Sequence, residues 1–222
     1  MRRQLRILIS SGPTREPLDA VRFISNYSTG YMGSLLASEA LRRGHQVRVI
    51  SGPSTEPLPP VTVIRVEQAR QMEQRLRQHS GWADAIIMAA AISDYRLRRP
   101  AALKRPRQGG LALQLVATPD IIGRLPRRPG QLIAGFALET GQALKRATKK
   151  LRQKRLDVML AQDAGSSSPF GRRPVRAWLL DREGQATALG RISKPAVARQ
   201  LLDKIESLWY GQPHRWRPAK GL

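Results

Sequence analysis

The sequence predicts an α/β fold: a Rossmann-like parallel-sheet domain with a small β excursion and a C-terminal hairpin and helix. Short apolar, β-branched runs alternate with runs of helical period, and strands that alternate with helices form parallel sheets with right-handed crossovers. In addition, 222 residues that are 41% hydrophobic can bury a continuous core. We therefore expect one α/β domain over residues 1–210 and a disordered basic tail over residues 211–222.

The first half of the chain supplies four predicted strands and two predicted helices. The strands are the runs LRILISSG, QVRVIS, VTVIRV and ADAIIMAAA, in chain order. Helical spacing predicts helices over residues 32–43, with Gly44 as the candidate C-cap, and over residues 67–79. A long polar loop lies between the first strand and the first helix.

The second half begins with an irregular segment after Ser93. Pro and Gly residues there flank a short alternating run, residues 111–116, which we interpret as an excursion from the sheet. The remaining predicted elements are a short helix in TPDIIGRL, strands in QLIAGFA and DVMLAQD, a basic helix over residues 140–155, a hairpin that turns at Asp181–Gly184, and an amphipathic helix from Lys194 to about Trp209.

Composition excludes several kinds of chemistry. The chain has no cysteine, which rules out disulfides, thiolate zinc sites and a cysteine nucleophile. Its three histidines are scattered and do not have the spacing of metal ligands. No apolar run reaches the roughly 18 residues needed to span a bilayer, and the N-terminal run is too short for a signal peptide. We expect a cytoplasmic protein with no membrane partner.

The charge balance leaves nucleic acid open as a partner. Lys and Arg number 39 against 16 Asp and Glu, which gives a formal net charge of +23 and a field that attracts polyanions. The basic residues are spread along the whole chain, however, and only 5% of residues are aromatic, so platforms for stacking single-stranded bases are sparse. A basic nucleic-acid-binding module is therefore kept as an alternative.

The loop RFISNYSTGYMG, residues 22–33, is the first candidate site. Residues 13–29 separate Gly12 from Gly30, whereas a dinucleotide fingerprint turns from strand to helix over six residues. This spacing argues against ordinary NAD or FAD binding. The Ser, Thr and Gly residues before the helix favour an anion at its N-terminus, and plain capping by Ser28 or Thr29 is an equally good interpretation.

Loops after later strands carry further polar candidates. Asp94 follows the fourth strand, where it could bind a hydroxyl group, or a metal through water, or be only a surface turn residue. In TPDII, Thr118 or Asp120 is a candidate helix cap, with Pro119 in the first turn.

The basic helix carries a row of like charges. Arg146, Lys150 and Lys154 share one face, an arrangement that an anion would relieve or that solvent alone screens. Lys104 is ambiguous in the same way.

The order of these motifs resembles the phosphopantothenoylcysteine synthetase family of coenzyme A biosynthesis. The likeness begins with GPTREPLDAVRFISNYSTGYMG and continues through SGP, AAAISDYR, Lys104, TPDII, GFALET and KKLRQKRLDVMLAQD, over roughly residues 5–205. Members often form the C-terminal half of a bifunctional flavoprotein. The flavin-binding decarboxylase half is absent from these residues, so the resemblance implies no flavin and a separate flavoprotein decarboxylase as a candidate partner.

The resemblance implies a dimeric Rossmann-like ligase that works in two steps. CTP or ATP, with Mg²⁺, activates the carboxylate of 4'-phosphopantothenate as an acyl nucleotidylate, and pyrophosphate leaves. The amine of cysteine then attacks to form the amide. The metal ligands stay unassigned.

The resemblance also implies site residues. Asn26 would hold the acyl intermediate, Arg22 would support its loop, and Lys104 would stabilise charge on the acyl nucleotidylate, although Arg105 or Arg107 could take that role. The expected nucleotide-binding residues are Asp94, Lys104, Pro119, Asp120, Ile121, Ile122, Phe136, Lys150 and Lys154.

Three positions depart from the family pattern. Gln162 stands where an Asn is expected, the cluster after Asp94 reads LKRPR in place of a Lys-x-Lys-Lys run, and Tyr31 fills a position often held by Lys. These departures leave open a diverged or inactive paralogue that acts as a partner protein.

Overall fold

The computed structural model describes residues 3–107, 109–165 and 170–211. The strands in this part of the chain are β1 (Arg6–Ser11), β2 (Arg15–Pro17), β3 (Phe23–Ser25), β4 (Gln46–Ser51), β5 (Thr62–Arg65), β6 (Ala85–Met88), β7 (Tyr95–Leu97), β8 (Leu115–Ala117), β9 (Leu132–Glu139), β10 (Val158–Asp163), β11 (Val175–Asp181) and β12 (Ala186–Ile192). The helices are α1 (Tyr31–Arg42), α2 (Ala69–Ser80), α3 (Ile121–Arg124), α4 (Ala143–Gln153) and α5 (Lys194–Tyr210).

Eight of these strands form one sheet in the order β12-β11-β10-β9-β6-β1-β4-β5. The six strands from β10 to β5 run parallel to their neighbours, and β11 and β12 add an antiparallel edge. The turn between them has Gly184 at φ 83°, and the Gly184 N–H donates to the Asp181 carbonyl over 2.9 Å. The predicted α/β fold, with its parallel sheet and C-terminal hairpin, is confirmed.

The core lies in two layers, one on each face of the sheet. Alternate residues of β1 point to opposite faces, because the side-chain period of a strand is two: Ile7 and Ile9 pack with α1 and α5, and Leu8 packs with α2 and α4. The short helix α3 joins the second layer through Ile121. The arrangement is a three-layer α/β/α sandwich.

The end of α1 follows the predicted glycine signal. Gly44 has φ 81°, its N–H donates to the Leu41 carbonyl over 2.9 Å, and the His45 N–H donates to the Ala40 carbonyl over 3.0 Å. This Schellman pattern satisfies carbonyls that the helix leaves free, and it turns the chain directly into β4.

Two short antiparallel strand pairs lie outside the main sheet, and the first of them was not predicted from the sequence. The long polar loop after β1 contains β2 and β3, and the irregular segment after Ser93 contains β7 paired with β8. The alternating run expected at 111–116 forms a strand only at Leu115–Ala117. Strands of three residues that pair outside the main sheet carry too little apolar patterning to be recognised.

The expectation for TPDII was wrong in one respect. The N-cap of α3 is Asp120, without a side-chain capping bond, so Pro119 precedes the helix instead of lying in its first turn.

Residues 212–222 of the predicted tail lie outside the described residues. Within the described ranges, no helix is both long and apolar enough to cross a membrane.

Candidate functional site

A cleft of about 360 Å³ opens at the carboxyl ends of β6, β9 and β10, beside the N-termini of α1 and α5. Ligands of open α/β sheets bind at this edge. The described residues that line the cleft are Asn26, Ser28, Thr29, Tyr31, Met32, Ala89, Ala90, Ala91, Ile92, Asp94, Phe136, Leu138, Gln162, Phe170, Gly171 and Lys194. Three residues predicted from the sequence, Asn26, Asp94 and Phe136, therefore meet here.

Asn26 is fixed against the loop that follows β6. Its Nδ2 donates to the Ala91 carbonyl over 2.9 Å, and the same carbonyl accepts the Thr14 N–H over 3.2 Å. Thr14 is buried, and its Oγ1 accepts the Ser93 N–H over 3.0 Å. These bonds join the loops after β1 and β6 and hold the Asn26 amide at the cleft.

The N-terminus of α1 borders the same cleft. Gly30 is the N-cap at φ 85°, and a Cβ on it would lie 2.2 Å from the Ser54 Oγ. Ser54 donates to the Thr29 carbonyl over 2.8 Å, so the loop after β4 packs directly against this turn. Ser28 and Thr29 accept the N–H groups of Gly30 and Tyr31, each over 3.3 Å. Both hydroxyls thus make local turn bonds, and neither side chain is the N-cap.

Two positions that depart from the family pattern also line the cleft. Gln162 lies near the end of β10. Tyr31 is the first residue of α1, and the Arg172 guanidinium lies 4.8 Å from its ring centroid. Arg172 also pairs with Glu56 over 3.2 Å. A cation therefore stands over the aromatic ring at the mouth of the cleft.

Lys194 lines the cleft and was not predicted as a site residue. It is 5% exposed, and it is the first residue of α5, after the N-cap Ser193. Burial lowers the pKa of its ammonium group, since loss of hydration disfavours the charged form. The sequence offered one signal: a lysine in a helix's first position, where the helix dipole disfavours a cation.

Arg22 and Lys104 lie near one another but do not line the cleft. Arg22 Nε donates to Asp19 over 2.9 Å, and its Nη2 donates to the Arg105 carbonyl over 2.9 Å. Asp19 is buried, and the Arg22 guanidinium holds the pKa of its carboxyl well below the usual range. Arg22 thereby fixes the segment that carries Lys104, whose side chain is exposed.

Lys150 and Lys154 lie on the other face of the sheet from Phe136. Phe136 packs with the α1 and α5 layer, whereas Glu139, three residues later on β9, faces α4. Lys150 Nζ lies 2.5 Å from Glu139 Oε1, and Arg146 lies 3.5 Å from Glu139 Oε2. Lys154 pairs with Asp120 over 3.1 Å. Carboxylates of the chain therefore offset the row of like charges predicted on this helix.

The remaining predicted nucleotide residues border a second cavity or α3. Pro119 and Ile121 line a cavity of about 410 Å³ on the α2 side, and Ile122 packs into the core beneath α3. In this cavity Glu16 accepts the Ala69 N–H over 2.8 Å, and burial raises the pKa of its carboxyl. The structure thus brings Asn26, Asp94 and Phe136 together, and the other predicted residues do not line that cleft.

The described residues do not form a protein-only metal cage. No group of three or more His, Asp and Glu side chains in these ranges could hold an ion, and Asp94 is the only carboxylate among the described cleft-lining residues. Mg²⁺ commonly takes one or two protein carboxylates and completes its shell with substrate phosphates and water. The Asp94 carboxylate therefore fits an ion that enters the cleft already bound to the phosphates of a nucleotide.

Comparison with known proteins agrees with the motif order. The family model for the DNA/pantothenate metabolism flavoprotein C-terminal domain matches residues 2–208. The chain is 38% identical to the coenzyme A biosynthesis bifunctional protein CoaBC of Escherichia coli K12, over 91% of this chain and 52% of that protein. It is 34% identical to CoaBC of Mycobacterium tuberculosis H37Rv, over 93% of this chain and 53% of that protein. The chain therefore spans about half the length of these relatives.

One solved structure aligns with this chain over nearly the whole length of both. The crystal structure of the C-terminal domain of CoaBC superimposes with a TM-score of 0.79 at 33% identity, over 94% of this chain and 97% of that one. These relatives do not favour the nucleic-acid-binding alternative.

Proposed function

The chain belongs to the DNA/pantothenate metabolism flavoprotein C-terminal domain family, and from that premise we propose that it is a phosphopantothenate–cysteine ligase. The reaction activates the 4'-phosphopantothenate carboxylate with a nucleoside triphosphate and then forms an amide with cysteine. One observation carries the proposal: the family match runs through a cleft at the carboxyl edge of the sheet where Asn26, Asp94 and Phe136 converge.

The cleft suits chemistry in which positioning dominates. A carboxylate and a triphosphate repel one another, so an enzyme that joins them must orient both and stabilise the charge that develops. The α1 N-terminus supplies backbone N–H groups and the positive end of a helix dipole at one wall. Asn26 supplies an amide fixed by its bond to the Ala91 carbonyl.

We assign roles to the residues on this basis. Asn26 contacts the acyl group of the intermediate, and Lys104, on the segment that Arg22 holds, stabilises charge on the acyl nucleotidylate. The nucleotide lies between the cleft and α4, in reach of Asp94 and Phe136, of the α3 turn, and of Lys150 and Lys154. Lys150 and Lys154 then exchange their carboxylate partners in the chain for phosphate oxygens.

The nucleotide is CTP or ATP, since both present the same triphosphate. Mg²⁺ would be held by Asp94 together with the phosphates, and when bound it neutralises phosphate charge. The other residues orient the acyl group and keep the activated carboxylate from water.

The proposal extends to the setting of the protein. We propose that the protein is a homodimer located in the cytoplasm. Coenzyme A biosynthesis would supply its substrate 4'-phosphopantothenate, and its product would pass to a flavoprotein decarboxylase. The +23 formal charge would favour approach of these anionic substrates.

Pyrophosphate release tests the proposal. Purified protein is incubated with 4'-phosphopantothenate, cysteine and Mg²⁺, and with CTP or ATP in separate reactions. Release that requires 4'-phosphopantothenate supports the ligase, and the faster nucleotide identifies the co-substrate. A folded protein that releases none with either nucleotide contradicts it and leaves the inactive partner protein as the interpretation.

A further inference from the structure

Lys194 is the only Lys or Arg among the described residues that line the cleft. In a chain with 39 such residues, the cleft wall is otherwise built from small, apolar and neutral polar side chains around Asp94. The lysine is also 5% exposed, whereas the other lysines in the described ranges are exposed or half-buried. Among the described residues, Lys194 is therefore the basic side chain placed to meet an anion inside this cleft.

Lys194 also lies at the N-terminus of α5, a position that itself favours an anion. The ammonium group loses hydration on burial, and Lys194 is the first residue of α5, where the positive end of the helix dipole opposes another positive charge. Ser193 accepts the Ala196 N–H over 3.4 Å as the N-cap, so the helix start is well formed around the lysine. An anion in the cleft would interact favourably with both the ammonium and the α5 N-terminus.

We propose that Lys194 pairs with a phosphate group of a substrate inside the cleft. This inference rests on the proposed function and deepens it, because that function brings two phosphate-bearing molecules to the site. The phosphate belongs either to 4'-phosphopantothenate or to the nucleotide. Lys194 is thus a binding residue of the cleft, on the side where α5 begins.

Direct binding measurements separate the two sources. Calorimetry gives dissociation constants of the wild type and of Lys194→Met for 4'-phosphopantothenate, for pantothenate, which lacks the phosphate, and for CTP with Mg²⁺. A hydrogen bond to a charged group corresponds to a loss of about 10- to 100-fold. We expect that loss for one phosphate-bearing ligand, no change for pantothenate, and partial recovery in Lys194→Arg.

Matched controls separate charge from structure. Lys145→Met removes an exposed lysine from α4 and should leave all three dissociation constants unchanged. Thermal unfolding of Lys194→Met should stay within a few degrees of the wild type, and Lys194→Gln replaces it if the Met variant does not fold.

Two results overturn the inference. Either both phosphate-bearing ligands bind the Lys194 variants as tightly as the wild type, or pantothenate affinity falls by the same factor, which indicates a structural role. Because binding is measured without turnover, a protein that binds the ligands but releases no pyrophosphate refutes the ligase proposal and still decides the role of Lys194.

Discussion

Gly33 allows α1 to approach β1, and replacing it with Ala should push the two apart. A Cβ at Gly33 would lie 2.1 Å from the Oγ, 2.4 Å from the Cβ and 3.1 Å from the Cα of Ser11. Carbon atoms in contact are about 3.5–4.0 Å apart, so α1 must move by roughly 1 Å. Because α1 forms one wall of the cleft, this shift should also weaken substrate binding.

The expected loss of stability follows from two opposing terms. Overpacking costs about 1–3 kcal/mol, and this contact involves a strand residue that cannot move freely, so the upper end applies. Ala improves helix propensity by at most about 1 kcal/mol. The net loss is about 2 kcal/mol, which lowers the melting temperature by about 4–8 °C for a chain of this size.

Differential scanning calorimetry of Gly33→Ala measures this loss, and two further variants test its cause. Ser11→Gly removes the opposing side chain and should recover part of the stability in the double variant. Gly81→Ala adds a methyl group where φ is −61° and no atom lies within 4 Å, and should not destabilise. A Gly33→Ala protein that melts at or above the wild-type temperature would refute the packing argument.

Three further predictions follow from the charged contacts. Arg43 links the end of α1 to α5 through ion pairs with Asp203 and Glu206, over 2.7 Å and 3.2 Å. Arg43→Met should therefore lower the free energy of unfolding in urea by about 2 kcal/mol. An unchanged urea midpoint would contradict this link. Arg42 lowers the pKa of Glu39 to about 2, so the ionised Glu39 side chain stabilises the fold fully above its ordinary pKa of 4.5. This contribution is lost as pH falls from 4.5 towards 2. The urea midpoint of the Glu39→Gln protein should therefore fall less over that pH range than the midpoint of the wild type. Lys150→Met should raise the KM for the nucleotide by about 10-fold, within the range for a charged hydrogen bond, whereas equal effects on the KM for cysteine would indicate a structural role.

The main sheet was predictable because its strands are distinctive. β1, β6 and β10 are largely buried apolar runs, and the segments of helical period that form α2 and α4 directly precede β6 and β10. Such runs identify strands of a parallel sheet without knowledge of tertiary contacts. The short pairs β2–β3 and β7–β8 lack that pattern, because their strands are three residues long and each pair contains one buried residue.

The candidate site was predictable in part for a similar reason. Asp94 and the loop that contains Asn26 were found because they follow strands whose carboxyl ends meet at one edge. Asn26 itself was chosen within that loop from the family resemblance. Lys194 was missed because the sequence shows only the start of an amphipathic helix there, and its burial arises from the fold. The pairing of Lys150 with Glu139 was missed as well, since it joins a strand end to a helix across a turn.

The acyl intermediate provides the most direct test of the proposed ligase and of its site. Asn26→Asp protein is mixed with 4'-phosphopantothenate, cysteine, Mg²⁺ and the active nucleotide, and the products are separated and weighed by mass spectrometry. We predict that the variant accumulates the acyl nucleotidylate while the wild type proceeds to 4'-phosphopantothenoylcysteine. A variant that forms the amide at the wild-type rate would contradict the assignment of Asn26 and of the cleft around it.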